Sequence, residues 1–273
     1  RAQVSSPVVE AMFALFALGS FTAEPTWSDE FTDCVNGVPN PQKWGVEIGK
    51  VRLGNGELQR YTCSGNAACV NGELVLSARR DGNDITSASL TTLGTQLFGH
   101  GKIEMRGKVD ARPGSWPAFW ALGANWDCDE LPANRPGATC GVVGWPACGE
   151  IDIMEYSGLY DTVGSNVYYT GHRFPRGAFS IQKSKEWYSE YHVYALDWDP
   201  SEIVLSVDGE VWNRVPLDNS EARRAFSSQK ISLVLNQAVG GQLGGDELDE
   251  FPYQLHVDYV RYYAAASISS NSV

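Results

Sequence analysis

Short runs of alternating apolar and polar residues, separated by turn residues, recur along most of the chain and constrain its fold more than any other feature. In residues 102–110, apolar side chains alternate with charged ones, as expected for a strand with one buried face. Two comparable runs, 202–207 and 210–215, are joined by Asp208 and Gly209, which predicts a β-hairpin with a type I′ turn. Further runs of this kind cover residues 73–79, 191–198, 230–236 and 255–263.

Helical periodicity is nearly absent, and only residues 217–226 are predicted as one short helix. Many short strands with turn residues between them indicate a sandwich or a barrel. Two stacked antiparallel sheets suit a chain of 273 residues. We therefore predict an all-β fold, a β-sandwich (jelly roll) of two curved antiparallel sheets with a concave substrate cleft.

The two ends of the chain differ in composition from the rest. Residues 8–18 are apolar except for Glu10, and this stretch resembles the apolar region of a signal peptide. It is too short to span a bilayer, which needs about 20 apolar residues. We expect residues 1–25 to form an apolar segment, either a leader remnant or an element packed on the domain. One β-sandwich domain should then cover residues 26–263, and residues 264–273 should form a flexible tail.

The net charge of −12 restricts the classes of partner. Nucleic acids and anionic membrane surfaces attract basic patches, so neither is an expected partner. A neutral or cationic substrate is compatible with an acidic chain, and we expect a monomer. The 9 tryptophans and 12 tyrosines fit either a sandwich core or a sugar-binding cleft, in which flat rings stack on pyranose faces.

The even number of cysteines, 6, predicts an oxidising compartment and therefore a secreted, extracellular protein. The alternative is that these cysteines are reduced and buried. Cys63 and Cys69 would close a short loop and form the expected disulfide. A second pair is plausible among Cys128, Cys140 and Cys148. A zinc site is less favoured, because the sequence has no Cys-x-x-Cys pair.

The acidic segment 149–156 is the strongest candidate for chemistry. Glu150 and Asp152 are two residues apart, so on a strand they face the same side, while the isoleucines that follow each of them face the core. Glu155 is an odd number of residues from Glu150 and would face the opposite side of a regular strand. A bulge at Ile153 and Met154 would return Glu155 to the side of Glu150.

Three carboxylates on one strand face repel each other, which favours a function that needs them. Two carboxylates can cleave a glycosidic bond with retention of configuration: one attacks the anomeric carbon, and the other protonates the leaving oxygen. The third can separate the pKa values of the other two. No cofactor is needed for this chemistry. The alternatives from spacing alone are an acidic surface strand and a calcium site.

The stretch from Trp145 to Tyr156 resembles the catalytic signature of glycoside hydrolase family 16 in its bulged form. Laminarinases (endo-β-1,3-glucanases), agarases and carrageenases share that form, and the extra residue, Met154, sets them apart from lichenases. The resemblance covers roughly residues 26–263. Its other motifs, in the family's order, are residues 28–31, 55–62, 114–122, 235–245 and 257–261.

The resemblance implies catalytic roles for the three acidic residues. Glu150 would be the nucleophile, Glu155 the acid/base and Asp152 the assisting carboxylate. It also implies substrate contacts by Asn55, Arg60, Trp116, Trp120, Tyr169, His172, Asn236 and Gln237. A structural calcium ion, common in the family, would bind Glu30, the carbonyl of Gly72 and Asp258.

The sequence departs from the family in three places. Ser89 stands where an arginine is usual, and Gln237 stands where an apolar residue is common. A tyrosine, Tyr168 or Tyr169, stands where many laminarinases carry histidine. These departures bear on substrate preference more than on mechanism.

The resemblance leads us to expect a retaining endo-β-1,3-glucanase that hydrolyses laminarin-like β-glucans by double displacement. One alternative is a related glycosidase that acts on mixed-linkage β-glucan or a marine galactan. Another is a non-catalytic β-glucan recognition protein. Such proteins have usually lost one or both catalytic glutamates, whereas Glu150 and Glu155 are both present.

Overall fold

The alternating runs form strands in the computed structural model, which describes residues 21–50, 54–126, 143–171, 178–227 and 230–266. The strands of these ranges are β1 (Trp27–Asp29), β2 (Gly45–Val46), β3 (Arg60–Tyr61), β4 (Ala67–Val70), β5 (Glu73–Asp81), β6 (Asp84–Ser87), β7 (Ser89–Thr91), β8 (Gly101–Val109), β9 (Ser115–Gly123), β10 (Glu150–Ser157), β11 (Thr162–Tyr168), β12 (Phe179–Ile181), β13 (His192–Trp198), β14 (Glu202–Val207), β15 (Glu210–Pro216), β16 (Ile231–Val239) and β17 (Tyr253–Ala264). The helices are α1 (Lys185–Ser189), α2 (Ser220–Phe226) and α3 (Gly241–Gly244).

The strands build two sheets. In the larger sheet the order is β15-β14-β13-β8-β17-β5-β6-β3, with β1 on β17 and β4 on β5. In the smaller sheet the order is β12-β11-β10-β9-β16-β7-β2. Pairing is antiparallel throughout except between β3 and β6. The predicted all-β sandwich of two antiparallel sheets is confirmed.

The predicted strands and helix are confirmed, with shifts of a few residues at their ends. The hairpin of β14 and β15 turns at Asp208 (φ 51°) and Gly209 (φ 82°), so both central residues have the positive φ of a type I′ turn. The short predicted helix is α2, which starts at Ser220 rather than at 217. Its start is set by Asn219, whose side chain accepts a hydrogen bond from the backbone N–H of Ala222 at 2.8 Å.

The hydrophobic core fills the space between the two sheets. Alternate residues of each strand point into it, which is why one face of each sheet remains available to solvent. The fully buried side chains from the larger sheet include Leu74, Leu76, Ile103, Met105, Leu196, Trp198, Leu255 and Val257. Those from the smaller sheet include Phe119, Ile151, Ile153, Val163, Val167, Leu233 and Leu235.

The ends of the described chain lie side by side on the larger sheet. The backbone N–H of Thr22 donates to the carbonyl of Ala264 at 3.2 Å. An isolated antiparallel bridge also joins Phe21 to Ala265. Part of the segment predicted for residues 1–25 is therefore attached to the sandwich, and the apolar stretch 8–18 lies outside the described residues. None of the described helices is long and apolar enough to cross a membrane.

The predicted disulfide between Cys63 and Cys69 is wrong. Cys69 is bonded to Cys34, which lies 35 residues earlier, and Cys63 is exposed and not disulfide-bonded. Cys69 lies on β4, whose neighbour in space is the loop after β1; the backbone N–H of Cys69 donates to the carbonyl of Gly37 at 2.9 Å. Pairing was therefore decided by tertiary contact rather than by proximity in sequence. Cys128 and Cys140, from the second predicted group, lie outside the described residues.

Replacing Cys34 by serine should destabilise the fold, because the bond closes a loop of 35 residues and restricts the unfolded chain. The loss expected from loop closure is roughly 2–4 kcal/mol. Denaturant unfolding of the full chain measures it. Cys63→Ser is the matched control and should leave the free energy of unfolding unchanged. An equal loss in both variants would contradict the Cys34–Cys69 assignment.

Candidate active site

A bulge in β10 places the three acidic side chains on one side of the sheet. Between Asp152 and Glu155 the chain advances three residues, whereas the partner strand β11 advances only two, from Asn166 to Gly164. The same extra residue is seen against β9, where Asp152 and Met154 pair with consecutive residues. The bulge predicted at Ile153 and Met154 is confirmed.

Each of the three carboxylate residues lies between one residue of β9 and one residue of β11. Along β9 the three flanking residues are two apart from one to the next, and the same is true along β11. Their side chains and the three carboxylates therefore all lie on the cleft side of the sheet. The three rows are Leu122, Glu150 and Tyr168; Trp120, Asp152 and Asn166; and Ala118, Glu155 and Gly164.

Glu155 is flanked by the two smallest side chains of these rows, those of Ala118 and Gly164. Gly164 cannot carry a larger side chain, since a Cβ there would lie 2.2 Å from the carbonyl oxygen of Phe179 on β12. The close approach of the β12 backbone therefore requires glycine at this position.

These side chains line a cleft of about 610 Å³ on the smaller sheet. The cleft crosses β10, β9, β16 and β7 and is bordered by the segment after β2. Its described lining consists of Glu47, Lys50, Gly54, Asn55, Glu57, Tyr61, Ser89, Trp116, Ala118, Trp120, Leu122, Trp126, Trp145, Glu150, Asp152, Glu155, Asn236 and Ala238. The predicted concave cleft therefore lies on the strand face that carries the acidic residues.

Burial raises the pKa of Glu155, so this carboxyl group holds its proton to higher pH than an exposed glutamate. The indole N–H of Trp116 donates to Oε1 of Glu155 at 3.0 Å and partly opposes the shift, because it favours the charged form. Trp116 is itself buried and therefore holds its donor in a fixed place. A carboxyl group with a raised pKa and a fixed partner suits proton transfer.

Asp152 has a more strongly raised pKa than Glu155. Burial, followed by the negative charges of Glu155 and Glu150, raises the pKa of Asp152 well above its ordinary range. Asp152 is 4% exposed, so water does little to screen these charges. The arrangement separates the protonation states of neighbouring carboxyl groups, which acid/base chemistry with two carboxylates requires.

A hydrogen-bond network fixes the position of Trp120. Its indole N–H donates to Oδ1 of Asn236 at 2.8 Å, and the amide of Asn236 donates to the hydroxyl of Tyr61 at 3.1 Å. The amide of Gln59 also donates to Tyr61 at 3.1 Å. Because the polar edge of Trp120 is occupied, this side chain offers the cleft its ring and not a donor.

Three of the predicted substrate residues lie away from the cleft. Arg60 is 47% exposed and forms an ion pair with Asp84, whereas its neighbour Tyr61 faces the cleft. Gln237 is fully buried and its amide donates to the hydroxyl of Ser115 at 3.2 Å, on the side opposite Asn236. In each place two adjacent strand residues point in opposite directions: Tyr61 lines the cleft and Arg60 does not, and Asn236, which was also predicted, lines the cleft and Gln237 does not.

Tyr169 is the third predicted residue that lies away from the cleft. It is buried in the core, its ring contacts Phe226 edge to face, and its hydroxyl accepts a hydrogen bond from Asn219 at 3.2 Å. Tyr168 is the tyrosine on the side of Glu150. His172 lies outside the described residues. The structure does bring Asn55, Trp116, Trp120 and Asn236 to the cleft, as predicted.

The prediction omitted several residues that line the cleft. They include Glu47, Lys50, Glu57, Tyr61, Trp126 and Trp145. Glu47 is buried and accepts a hydrogen bond from the hydroxyl of Ser89 at 2.6 Å. For Tyr61, the alternation with Gln59 within an otherwise polar segment was the available signal. For Trp145, the signal was its place just before the acidic segment.

The residues expected to hold calcium are engaged with arginines. Glu30 accepts two hydrogen bonds from Arg261, at 2.9 and 2.7 Å, and Asp258 pairs with Arg106 at 2.6 Å. Within the described ranges, no three His, Cys, Asp or Glu side chains are grouped as metal ligands. As these side chains stand, they do not fit a cation site.

Comparison with known proteins gives one consistent result. The family model for glycosyl hydrolases family 16 matches residues 56–261. A beta-glucanase of Rhodothermus marinus is 36% identical over 88% of this chain and 85% of its own length. A glucan endo-1,3-beta-glucosidase of Cryptopygus antarcticus is 31% identical, over 86% of each chain. The crystal structure of a laminarinase from Flavobacterium sp. UMI-01 has a TM-score of 0.76 at 31% identity and covers 88% of this chain and 100% of its own.

Asp152→Asn should stabilise the fold, and the gain should grow with pH. Because the folded-state pKa of Asp152 is raised, its contribution to stability is fully present below the unfolded-state pKa and is lost as the pH rises through the folded-state value. Asparagine does not titrate and avoids this loss. At neutral pH the gain should be measurable as a Tm above that of the unchanged chain.

Thermal unfolding of both proteins between acidic and neutral pH measures the gain. Asp84→Asn is the control, since that carboxylate is exposed and its ion pair with Arg60 lowers its pKa. The control should show no gain that grows with pH. A difference between Asp152→Asn and the unchanged chain that stays constant or shrinks with rising pH would contradict the assignment of a buried, disfavoured charge.

Proposed function

Since this chain belongs to glycosyl hydrolases family 16, we propose that it is a retaining endo-β-1,3-glucanase that hydrolyses laminarin-like β-glucans. The observation that carries the proposal is the bulged strand, which presents Glu150, Asp152 and Glu155 together in a cleft lined with tryptophans. The relatives named a glucan endo-1,3-beta-glucosidase and a laminarinase support the linkage.

The cleft suits a neutral polysaccharide. Trp116, Trp120, Trp126 and Trp145 line it, and indole rings can stack on the apolar faces of glucose units. Among its described lining residues, five carry carboxyl groups and Lys50 is the one basic residue. A sulfated galactan would meet like charges there, so a neutral glucan is the better substrate.

The first chemical step forms a glycosyl-enzyme. A carboxylate oxygen of Glu150 attacks the anomeric carbon, and the bond from that carbon to the glycosidic oxygen breaks. Glu155 gives its proton to the leaving oxygen, for which its raised pKa prepares it. The indole N–H of Trp116 then stabilises the carboxylate that Glu155 becomes.

The second step releases the sugar. Glu155, now charged, takes a proton from water, and the hydroxide oxygen attacks the anomeric carbon. The bond to Glu150 breaks, which restores both carboxyl groups to their first states. Two inversions at one carbon give net retention. Asp152, protonated to unusually high pH, can donate a hydrogen bond to Glu150 and limit the repulsion within the group.

A non-catalytic β-glucan recognition protein is the candidate from another class. The cleft could bind glucan without cleaving it, but both glutamates are present and lie on the same side of the sheet. Recognition alone would not require Asp152 to be buried beside two further carboxylates at a cost in stability. Hydrolysis is therefore the better supported function.

The remaining expectations concern where the protein works. We propose that it is secreted, because the Cys34–Cys69 disulfide fits an oxidising compartment and because its substrate is a polymer. The catalytic domain is proposed to cover residues 26–263, between the segment 1–25 and the tail 264–273. The working unit is proposed to be a monomer, which needs neither nucleic acid nor membrane as a partner.

Assays on laminarin, mixed-linkage glucan, agarose and carrageenan side by side test the proposal. We expect cleavage of laminarin, with a fast fall in viscosity that marks internal cuts. Proton NMR of the first products should show the β-anomer, as retention of configuration requires. An α-anomer at early times would rule out double displacement, and activity on a galactan alone would rule out the substrate.

Glu150→Gln is the control for chemistry. It should lose activity by at least about 10³-fold, while oligosaccharide binding and Tm stay close to those of the unchanged chain. Tryptophan fluorescence can report the binding, since tryptophans line the cleft. Near-normal turnover in this variant would remove Glu150 from the nucleophile's role.

Calcium binding at Glu30, the Gly72 carbonyl and Asp258 is a separate proposal that concerns stability alone. An ion there would have to displace Arg261 and Arg106 from the two carboxylates. If the ion binds, chelator should lower Tm, and Asp258→Asn should remove that dependence. Calorimetric scans with calcium and with chelator measure this. An unchanged Tm would contradict calcium binding there, and the two carboxylates would then interact with the two arginines alone.

A further inference from the structure

Tyr168 lies beside the proposed nucleophile. It is the residue of β11 directly opposite Glu150, so the two side chains extend on the same side of the sheet. Side chains paired in this way have Cβ atoms about 4.5–5.5 Å apart, within reach of a phenol and a carboxylate. On its outer side the ring contacts Trp145, with centroids 5.7 Å apart.

The acidic group affects the pKa of the Tyr168 hydroxyl. Burial, followed by the charges of Asp152, Glu155 and Glu150, raises the pKa of Tyr168, and a hydrogen bond with the Asn166 side chain partly opposes the rise. The hydroxyl therefore keeps its proton across the range in which carboxyl groups titrate. It is a donor that does not change state while its neighbours do.

A nucleophilic carboxylate has two oxygens, only one of which attacks. The other needs a donor that fixes its orientation and stabilises its charge before attack. On the β9 side Glu150 meets Leu122, which has no polar atom to offer. Tyr168 supplies a phenol on the opposite side.

We propose that Tyr168 is a positioning residue whose hydroxyl donates a hydrogen bond to the oxygen of Glu150 that does not attack. This role rests on the proposed function, because it presupposes Glu150 as nucleophile. It goes beyond the roles of the three acidic residues.

Tyr168→Phe removes the hydroxyl and keeps the ring. We expect kcat to fall by about 10- to 100-fold with KM nearly unchanged, the range that fits loss of a hydrogen bond to a charged group. The acidic limb of the pH profile of kcat/KM should move to higher pH, because a carboxylate without its donor takes up a proton more readily. The assay uses laminarin and the full chain.

Other titratable groups near Glu150 also influence the pH at which it takes up a proton. From β10 these are Asp152 and Glu155, from β11 Tyr168 itself, and across the cleft Glu47, Lys50, Glu57 and Tyr61. The variant changes only Tyr168 among these groups, and β9 presents Leu122 and Trp120 there. The shift therefore reports the loss of the phenol donor.

Tyr169→Phe is the matched control. It removes the hydroxyl of the adjacent tyrosine, which accepts from Asn219 in the core, so it should lower Tm and leave the acidic limb in place. Tyr168→Gln is the rescue variant, since its amide restores a donor. It should recover part of kcat and return the limb toward that of the unchanged chain.

Several outcomes would overturn the role. In Tyr168→Phe, these are an unchanged kcat with an unchanged acidic limb of the pH profile, or an effect on KM alone. In Tyr169→Phe, it is the same shift of the acidic limb. If Tyr168→Phe lost stability, the limb of Tyr168→Gln would decide. Should Glu150→Gln abolish hydrolysis while Tyr168→Phe changes nothing, the proposed function would stand and only the positioning role would fall.

Discussion

One extra residue in β10, held between two regular strands, is the constraint on which the site depends. Since β9 and β11 both run without a bulge at this level, the insertion cannot be absorbed by sliding the strand. It instead rotates the segment after Ile153, so that Glu155 returns to the side of Glu150 while Met154 stays buried. A strand one residue shorter there would reach the same side by simple alternation, but with a different distance between its acidic residues. The bulge therefore sets both the direction and the spacing of the carboxyl groups.

The cost of this arrangement falls on the sheet around it. Three acidic side chains share one strand face, and both Asp152 and Glu155 have raised pKa values because burial disfavours their charges. The neighbouring strands do not neutralise them with cations; among their described paired residues they supply an indole, an amide, a phenol and small or apolar side chains. Such neutral partners orient a carboxyl group but do not lock it in the ionised form, as a cation would. The carboxyl groups can therefore gain and lose protons. The interlocked core beneath holds the group together against its own repulsion.

The bulge, the strands and the hairpin could be predicted from the sequence, because each depends on local alternation or turn chemistry. Predictions failed where a residue's direction was decided by a partner far along the chain. Arg60 and Tyr61 are adjacent, and only the pairing of β3 with β6 determines that the tyrosine faces the cleft. The same holds for Tyr168 against Tyr169, because register with β10 sets their parity. The Cys34–Cys69 bond joins two segments that are 35 residues apart in sequence and adjacent only in the folded chain.

Register also determines the direction of the cleft. Glu155 pairs with Ala118, Ala118 with Asn236, and Asn236 with Ser89, so these residues form one row across four strands. With neighbouring strands about 4.8 Å apart, the row extends roughly 14 Å from Glu155 toward Glu47. Two of its members have very short side chains, which makes the row a trough, and Ser89 holds Glu47 at its end by a hydrogen bond of 2.6 Å. The trough therefore runs across the strands rather than along them, so it meets β10 at Glu155, the position that the bulge turns toward the cleft.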